Sequence, residues 1–412
     1  MKWLLYRIII PVAVVYISPN TERGVKMEKT ASNVIAQALC DAGVKVLTYV
    51  PASGGNGIFD AFNSLNNLNS PMSFHEEPAY SIAHGAAVCG TRAAALMKAH
   101  GLIKAANSVS DSLYCGTTAA MLTIVLTDKD GHSSDSILDI EPIISGIGIP
   151  YEIADINDIY GQVHHLLAES EKWSLPYALL IESSQMNLTA TAGKTQISSI
   201  QPQYNRNIKQ RVLCPFFVSY QRSVLDMKKN RKDWTSLPQI QSPHLPEAVP
   251  DSWKPQVARY SLLFDGFRKI RGSLVTGDTG ISSLFACEPY NCIDITTYMG
   301  GSIPLAVGAY LSGYHDAWAV SGDFAFIAAG QLGLLEALQR EIPLKILLLH
   351  NGESATTGGQ VIPPRMLQTV LCGYQKYLKY IHNPQDREEV ISVLKQARQS
   401  EDLAIVIADY RR

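Results

Sequence analysis

The sequence predicts an α/β protein built on parallel sheets, and three observations carry that prediction. From Thr30 onward, short apolar runs alternate with amphipathic stretches, the pattern of strands alternating with helices in layers. Residues Ala319 to Gln360 form the clearest unit: an apolar stretch closing in Ser321-Gly322-Asp323, a helical segment with apolar Leu332, Leu335 and Leu338, and a second apolar run, Leu344 to Leu349, closed by His350-Asn351-Gly352. The alternation then lapses between Ser183 and Phe267, which divides the 412 residues into two regular halves.

Taken in order, Ser32 to Ala42 is expected as a helix ended by Gly43, Val44 to Val50 as a buried strand, and Pro51-Ala52-Ser53-Gly54-Gly55 as a loop into a helix at Ile58 to Leu65. A helix near Ala79 to Cys89 follows, then strands at Ala93 to Met97 and Met121 to Leu126. Small residues on that helix (Ala83, Gly85, Ala86, Ala87) would let another element pack closely. Between the halves, prolines such as Pro215, Pro238 and Pro250 suggest a linker, and the basic cluster Lys228-Lys229-Asn230-Arg231-Lys232 reads as its solvated face. The second half restarts at Gly272 to Thr276 and ends with a helix, Gln385 to Arg398, and a strand, Leu403 to Ala408.

Composition narrows the function classes. The chain is 46% hydrophobic but only 17% charged, below the ~25% usual for globular proteins, which points to extensive burial, subunit interfaces included. A net charge of −2 gives no reason to propose nucleic acid or an anionic membrane as partner. The seven cysteines contain no Cys-x-x-Cys pair, which argues against a zinc site or a four-cysteine iron–sulfur cluster and for reduced thiols. In residues 1–27, Lys2 and Arg7 precede an apolar run from Ile8 to Ile17 that Pro11 splits, with no small-x-small cleavage site after it. The expectation is a start assigned too far upstream, Met27 being the working one, and a cytoplasmic protein.

Three stretches and two further histidines carry candidate chemistry. Asp323 and Asn351 stand 28 positions apart at the ends of two expected strands, about one crossover unit, so both tips reach the carboxyl edge of a parallel sheet where ligands bind. A carboxylate, an amide and the backbone carbonyls beyond it make a hard oxygen set suited to Mg²⁺. Gly277-Asp278-Thr279-Gly280 is a glycine-rich strand-to-helix turn able to present N–H groups to phosphate. His75-Glu76-Glu77 precedes the Ala/Gly-rich helix, either as favourable charge at its positive end or as a catalytic carboxyl. His75, His100 and His132 are candidates for holding a substrate carboxylate or relaying protons, or are structural histidines.

The stretch from Gly322-Asp323 to Asn351 resembles the diphosphate-binding motif of thiamine diphosphate (ThDP) enzymes. Within them, the tail Asn351-Gly352-Glu353-Ser354-Ala355-Thr356-Thr357-Gly358-Gly359-Gln360 is similar to the α subunit of indolepyruvate:ferredoxin oxidoreductase. So are Gly90-Thr91-Arg92-Ala93, Met97 to Leu102, Asp128 to Ser134, and Asp294 to Ile303. The resemblance implies two doubly wound parallel-sheet domains: a pyrimidine-binding domain at 28–182 and a diphosphate- and Mg-binding domain at 268–412, joined by the Pro-rich linker 183–267. It implies ThDP and Mg²⁺ as cofactors, the metal held by Asp323, Asn351 and the backbone carbonyl of Glu353. Gly277, Asp278, Thr279, Gly280, Met299, Gly301, Ser302, Ile303, Gly322, Phe324 and Thr357 would surround the cofactor, with Ile303 propping its bent form.

By the same resemblance Glu76, before Glu77, would face N1′ of the pyrimidine, where a partly desolvated carboxyl group favours the imino tautomer that removes the C2 proton. Among the histidines the similar loop favours His132. A homodimer or homotetramer is implied, with the cofactor between subunits. Phe324, His350 and Pro304 depart from the pattern, Phe324 and Pro304 standing where it has small residues, and the relative's middle domain and cysteine-rich iron–sulfur segment have no counterpart. The expected function is non-oxidative decarboxylation of a 2-oxo acid, an aromatic one by the resemblance, with aldehyde release or acyl-anion transfer (carboligation). The alternatives are the ThDP subunit of a 2-oxo acid:ferredoxin oxidoreductase whose redox centres lie on a partner subunit, and a non-catalytic assembly or sensing protein.

Overall fold

The computed structural model describes residues 28–194 and 202–411, and each half of the chain builds its own parallel sheet. In the first, the strand order is Val46–Tyr49, Ala93–Lys98, Met121–Thr127, Tyr177–Glu182, Tyr151–Ile153. In the second it is Leu378–Ile381, Ala404–Asp409, Lys345–His350, Trp318–Gly322, Val275–Asp278, Ile295–Thr297. Every pairing in both is parallel. Central strands such as Met121–Thr127 and Lys345–His350 are buried along their whole length, which is why they read as unbroken apolar runs. The N-terminal segment, and with it the question of Met27, lies outside the described residues. Among the described residues no helix is long and apolar enough to cross a membrane.

The halves meet through two helices, Glu76–Val88 and Ser302–Leu311, whose glycines let the backbones touch. A Cβ on Gly85 would stand 2.3 Å from the Leu305 carbonyl oxygen, and one on Gly308 would stand 2.1 Å from that of Ile82. One apolar cluster therefore runs through both halves, from Ile35 and Leu122 to Leu305 and Phe326.

Three sequence expectations change. The stretch expected as a linker contains helices at Val218–Lys229 and Lys254–Phe267, and the second buries Val257, Tyr260, Leu263, Phe264 and Phe267 in a core shared with Trp318 and Leu347. Arg206 and Arg271 both pair with buried Asp294, which pins this stretch to the second sheet. The basic cluster is not wholly solvated: Lys228 is buried, its Nζ donates to the Ser174 carbonyl at 3.1 Å, and Arg231 pairs with Glu169 at 3.2 Å. Burial pushes the Lys228 ammonium down to about 7. Finally, the helix Gln331–Gln339 buries Leu334 and Ala337, keeps Leu332 and Leu338 only partly buried and leaves Leu335 exposed, so the inward face is turned from the spacing read from Leu332, Leu335 and Leu338. The reason is Glu336, fully buried, which accepts from Ser73 Oγ and the Phe74 N–H at 2.9 Å each and pairs with Arg340.

Candidate active site

Strands Trp318–Gly322 and Lys345–His350 lie side by side with Gly322 opposite Leu349, so Asp323 and Asn351 leave the sheet at the same edge. Asp323 is buried, its Oδ2 accepting from His350 Nδ1 and from the Gly352 N–H, both at 2.7 Å, and its Oδ1 only from the Phe324 N–H at 2.8 Å. Asn351 is held at both ends: Oδ1 accepts from the Glu353 N–H at 3.0 Å and Nδ2 donates to the Tyr260 hydroxyl at 3.0 Å. Tyr260, on the joining helix, was not singled out in the sequence, and His350 entered as a strand end and a departure from the pattern, without a role. Tyr260's signal was the helical spacing of Val257, Tyr260, Phe264 and Phe267, masked by the surrounding prolines.

These residues open on a cleft of about 70 Å³. Asp278, Thr279, Gly280 and Met299 line it from one side, and Gly322, Asp323, Phe324, Asn351 and Glu353 from the other. Of the remaining expected residues, Gly277 is a buried strand residue, and Thr357 bonds the Ser354 hydroxyl beside the cleft. Gly301, Ser302 and Ile303 lie behind it, where buried Ile303 packs on the helix beyond: a Cβ on Gly333 would be 3.1 Å from Ile303 Cβ. Asp278 is spent internally. It accepts from the Ser302 N–H at 2.9 Å and from the Ser321 hydroxyl, and burial still pushes it up to about 6.

The cleft suits a hydrated divalent cation and phosphate oxygens. A Cβ on Gly322 would meet nothing within 4 Å, and one on Gly280, at φ +125°, only Thr356 Oγ1 at 3.9 Å, so the backbone stands open to an incoming group. Among the described residues no three His, Cys, Asp or Glu side chains converge on a metal position. A cation here would therefore use Asp323 and Asn351 with backbone carbonyl and ligand oxygens, the set Mg²⁺ accepts.

The candidates of the first half do not line this cleft. Lys104 Nζ approaches Glu76 Oε2 at 2.9 Å, an ion-pair distance without hydrogen-bond direction, since that oxygen has no hydrogen-bond partner. Glu77 lies in a drier place: burial first and the neighbouring Asp111 second push it up to about 7, and burial pushes Asp111 likewise up to about 7. His75 caps the helix, its Nδ1 accepting from the Glu77 N–H at 3.2 Å. His100 Nε2 meets Ser136 Oγ at 3.0 Å, which joins it to the loop bearing exposed His132. That loop wraps around Asp128, which accepts from the Ser134 hydroxyl at 2.6 Å and from the N–H groups of Ser133 and His132 at 2.8 and 2.9 Å, and these bonds, the Ser134 one above all, hold it far below the usual carboxylate range.

Comparison with known proteins bears on both halves. Residues 278–407 match the family described as thiamine pyrophosphate enzyme, C-terminal TPP binding domain. Indolepyruvate oxidoreductase subunit IorA of Archaeoglobus fulgidus is 25% identical over 185 residues, 43% of this chain and 29% of that protein, so the chain spans less than a third of this relative. The thiamine diphosphate-dependent 4-hydroxybenzoylformate decarboxylase of Rhodococcus jostii RHA1 has TM-score 0.65 at 12% identity, covering 92% of this chain and 99% of that one. Benzoylformate decarboxylase of Polynucleobacter necessarius has TM-score 0.63 at 10% identity, covering 93% and 99%. At these identities the two decarboxylases share the fold with this chain.

Proposed function

We propose that this chain is a thiamine diphosphate-dependent enzyme, a reading supported by the match of residues 278–407 and by the likeness to IorA, and that it decarboxylates a 2-oxo acid using ThDP and Mg²⁺, without an external electron acceptor, and releases an aldehyde or passes the acyl-anion equivalent to a second carbonyl compound. The observation that carries the reading is the Asp323, Asn351 and Gly352 turn at the carboxyl edge of two adjacent strands, facing the Thr279-Gly280 turn across one cleft. Bound there, ThDP supplies the carbanion equivalent at C2 and the electron sink for the electrons left by departing CO₂.

The chain's own residues do the rest. Asp323 and Asn351 offer Oδ1 atoms to the cation. His350 and the Gly352 N–H hold the Asp323 carboxylate in place, and Tyr260 holds the Asn351 amide with its oxygen toward the turn. At about 70 Å³ the cleft takes a metal and part of a diphosphate, not the whole cofactor, and Glu76 lies elsewhere on the chain. A homodimer in which Glu76 of one copy meets the cleft of the other accounts for both facts. In that arrangement Glu76 would give its proton to N1′, once exposed Lys104 had swung aside.

The test loads the purified protein with ThDP and Mg²⁺ and follows CO₂ and products from a panel of aromatic and aliphatic 2-oxo acids, with no electron acceptor, alongside light scattering. Turnover by a dimer or larger assembly is expected, lost in Glu76→Gln while ThDP still binds. A monomeric holoenzyme, or an active Glu76→Gln, would sink the two-chain site. The likeness to IorA supports a second reading, a ThDP subunit passing electrons to iron–sulfur centres on another chain, for which turnover would require an added acceptor.

A further inference from the structure

Residues 67–75 join the helix Asn56–Asn66 to the helix Glu76–Val88 without forming helix or strand, and they deliver Glu76. Apolar burial does little to place them, since Leu68 and Met72 are each 43% exposed and Phe74 is 56% exposed. Polar contacts place the segment instead. The Ser73 N–H donates to the Tyr49 carbonyl at 2.7 Å. Further bonds on Met72, Ser73 and Phe74 come from the end of the helix Gln331–Gln339, in the other half of the chain. Glu336 accepts from the Ser73 hydroxyl and the Phe74 N–H at 2.9 Å each. Gln339 Nε2 bridges the Met72 carbonyl and Glu336 Oε2 at 2.9 and 3.0 Å. Arg340 pairs with Glu336 and donates from Nη2 to Ser73 Oγ at 3.1 Å.

Stability alone accounts poorly for this clamp. Glu336 is fully buried, and replacing a buried ion pair by apolar residues of similar volume is often neutral or stabilising. What a fully satisfied buried network supplies is a fixed position. Phe74 is followed by His75, whose Nδ1 caps the next helix by accepting from the Glu77 N–H at 3.2 Å, and Glu76 is the first residue of that helix. Only His75 therefore separates the clamped Phe74 from Glu76, and a shift of the segment reaches the carboxyl group. A group that must meet one ring nitrogen tolerates little displacement, an error of about 1 Å costing up to ~100-fold in rate.

We propose that Glu336, with Gln339 and Arg340 beside it, is a positioning residue for Glu76: from the second half of the chain it holds residues 72–74 and so sets where the Glu76 carboxyl meets the cofactor. The inference rests on the role given to Glu76 in the proposed function. The clamp stands at the far end of the helical run that begins at Asp323 and continues through Phe326–Gly330 into Gln331–Gln339, and none of its residues lines the cofactor cleft. Breaking it should therefore spare cofactor binding and slow cofactor activation.

The experiment follows exchange of the ThDP C2 proton for deuterium, by acid quench and NMR, in the full chain loaded with ThDP and Mg²⁺, with ThDP affinity measured alongside by calorimetry. No substrate is needed. Glu76→Gln sets the scale by slowing exchange strongly. Glu336→Gln keeps the size of the side chain but turns an amide NH₂ toward one of its donors; it should slow exchange roughly ten-fold, the effect of one lost hydrogen bond, at unchanged ThDP affinity. A residue serving stability alone would leave the exchange rate of bound cofactor where it was. Gln339→Ala, at a partly buried position, removes the Met72 bond without stranding a charge; it should slow exchange by less and covers the case in which Glu336→Gln does not fold. Wild-type exchange in both clamp variants, with Glu76→Gln slow, would overturn the positioning role and leave that of Glu76 standing. Exchange and ThDP affinity falling together would overturn it as well, making Glu336 a structural residue. Undiminished exchange in Glu76→Gln would remove the role of Glu76 itself, and the proposal with it.

Discussion

Replacing Gly85 with Ala tests whether the contact between the two halves is as close as the structure makes it. The new Cβ would lie 2.3 Å from the Leu305 carbonyl oxygen and 3.0 Å from its carbon. Restoring ordinary contact requires the two helices to part by roughly 1 Å. What must move is backbone, so no side-chain rotation relieves it. Overpacking of a close-packed interior costs ~1–3 kcal/mol, whereas Ala in place of Gly within a helix gains ~0.5–1 kcal/mol. Against an unyielding carbonyl the first effect wins, and a net destabilisation of about 1 kcal/mol is expected. Gly146→Ala is the control: it sits on an exposed helix position where a Cβ meets nothing within 4 Å, so the propensity gain alone should appear. Equilibrium urea unfolding of the three proteins measures both, and because one apolar cluster spans the halves, the loss in Gly85→Ala should move the whole transition. A Gly85→Ala protein as stable as the wild type, or more stable, would refute the close approach of these helices.

Three further outcomes are expected. Asp323→Asn keeps the shape but removes the one anionic group of the expected metal ligands, so Mg²⁺-dependent ThDP binding, read by calorimetry, should weaken at least roughly ten-fold; undiminished binding would move the metal elsewhere. Burial pushes Asp111 from 3.8 up to about 7, so the folded protein keeps a proton that the unfolded chain has lost. Its favourable effect is thus complete below the unfolded value and fades as pH rises through about 7. Asp111→Asn should therefore gain thermal stability relative to the wild type as pH rises from about 4 to about 8, and parallel profiles would refute the assignment. Glu77 shares that environment, so Glu77→Gln should shift in the same direction, while Asp265→Asn, an exposed pair with Arg387, should not.

Much of the fold was legible because central strands are apolar throughout and the turns that end them carry Gly, Asp and Asn at their tips. Leu344 to Leu349 needed no context, and neither did the crossover to Asp323. The helix Lys254–Phe267 was missed although its buried residues recur at helical spacing, because prolines around it read as linker composition. Leu335 was read on the wrong face, and Glu336 beside it passed unread, for a different reason. A carboxylate is buried there only because Ser73, the Phe74 N–H and Arg340 satisfy it, and two of those partners come from more than two hundred residues away. Spacing finds residues that one element brings together; it is blind to those that meet only when two halves close.

The Tyr260 hydroxyl on Asn351 sets a limit on how the joining stretch can vary in length. Residues added or lost before Lys254 change only how the chain arrives at its helix, and the tyrosine keeps its phase. A single residue inserted within the first turn and a half would rotate Tyr260 by about 100° about the helix axis and carry its hydroxyl away from the amide, so a change remote from the cofactor in sequence would act on the metal-binding turn itself.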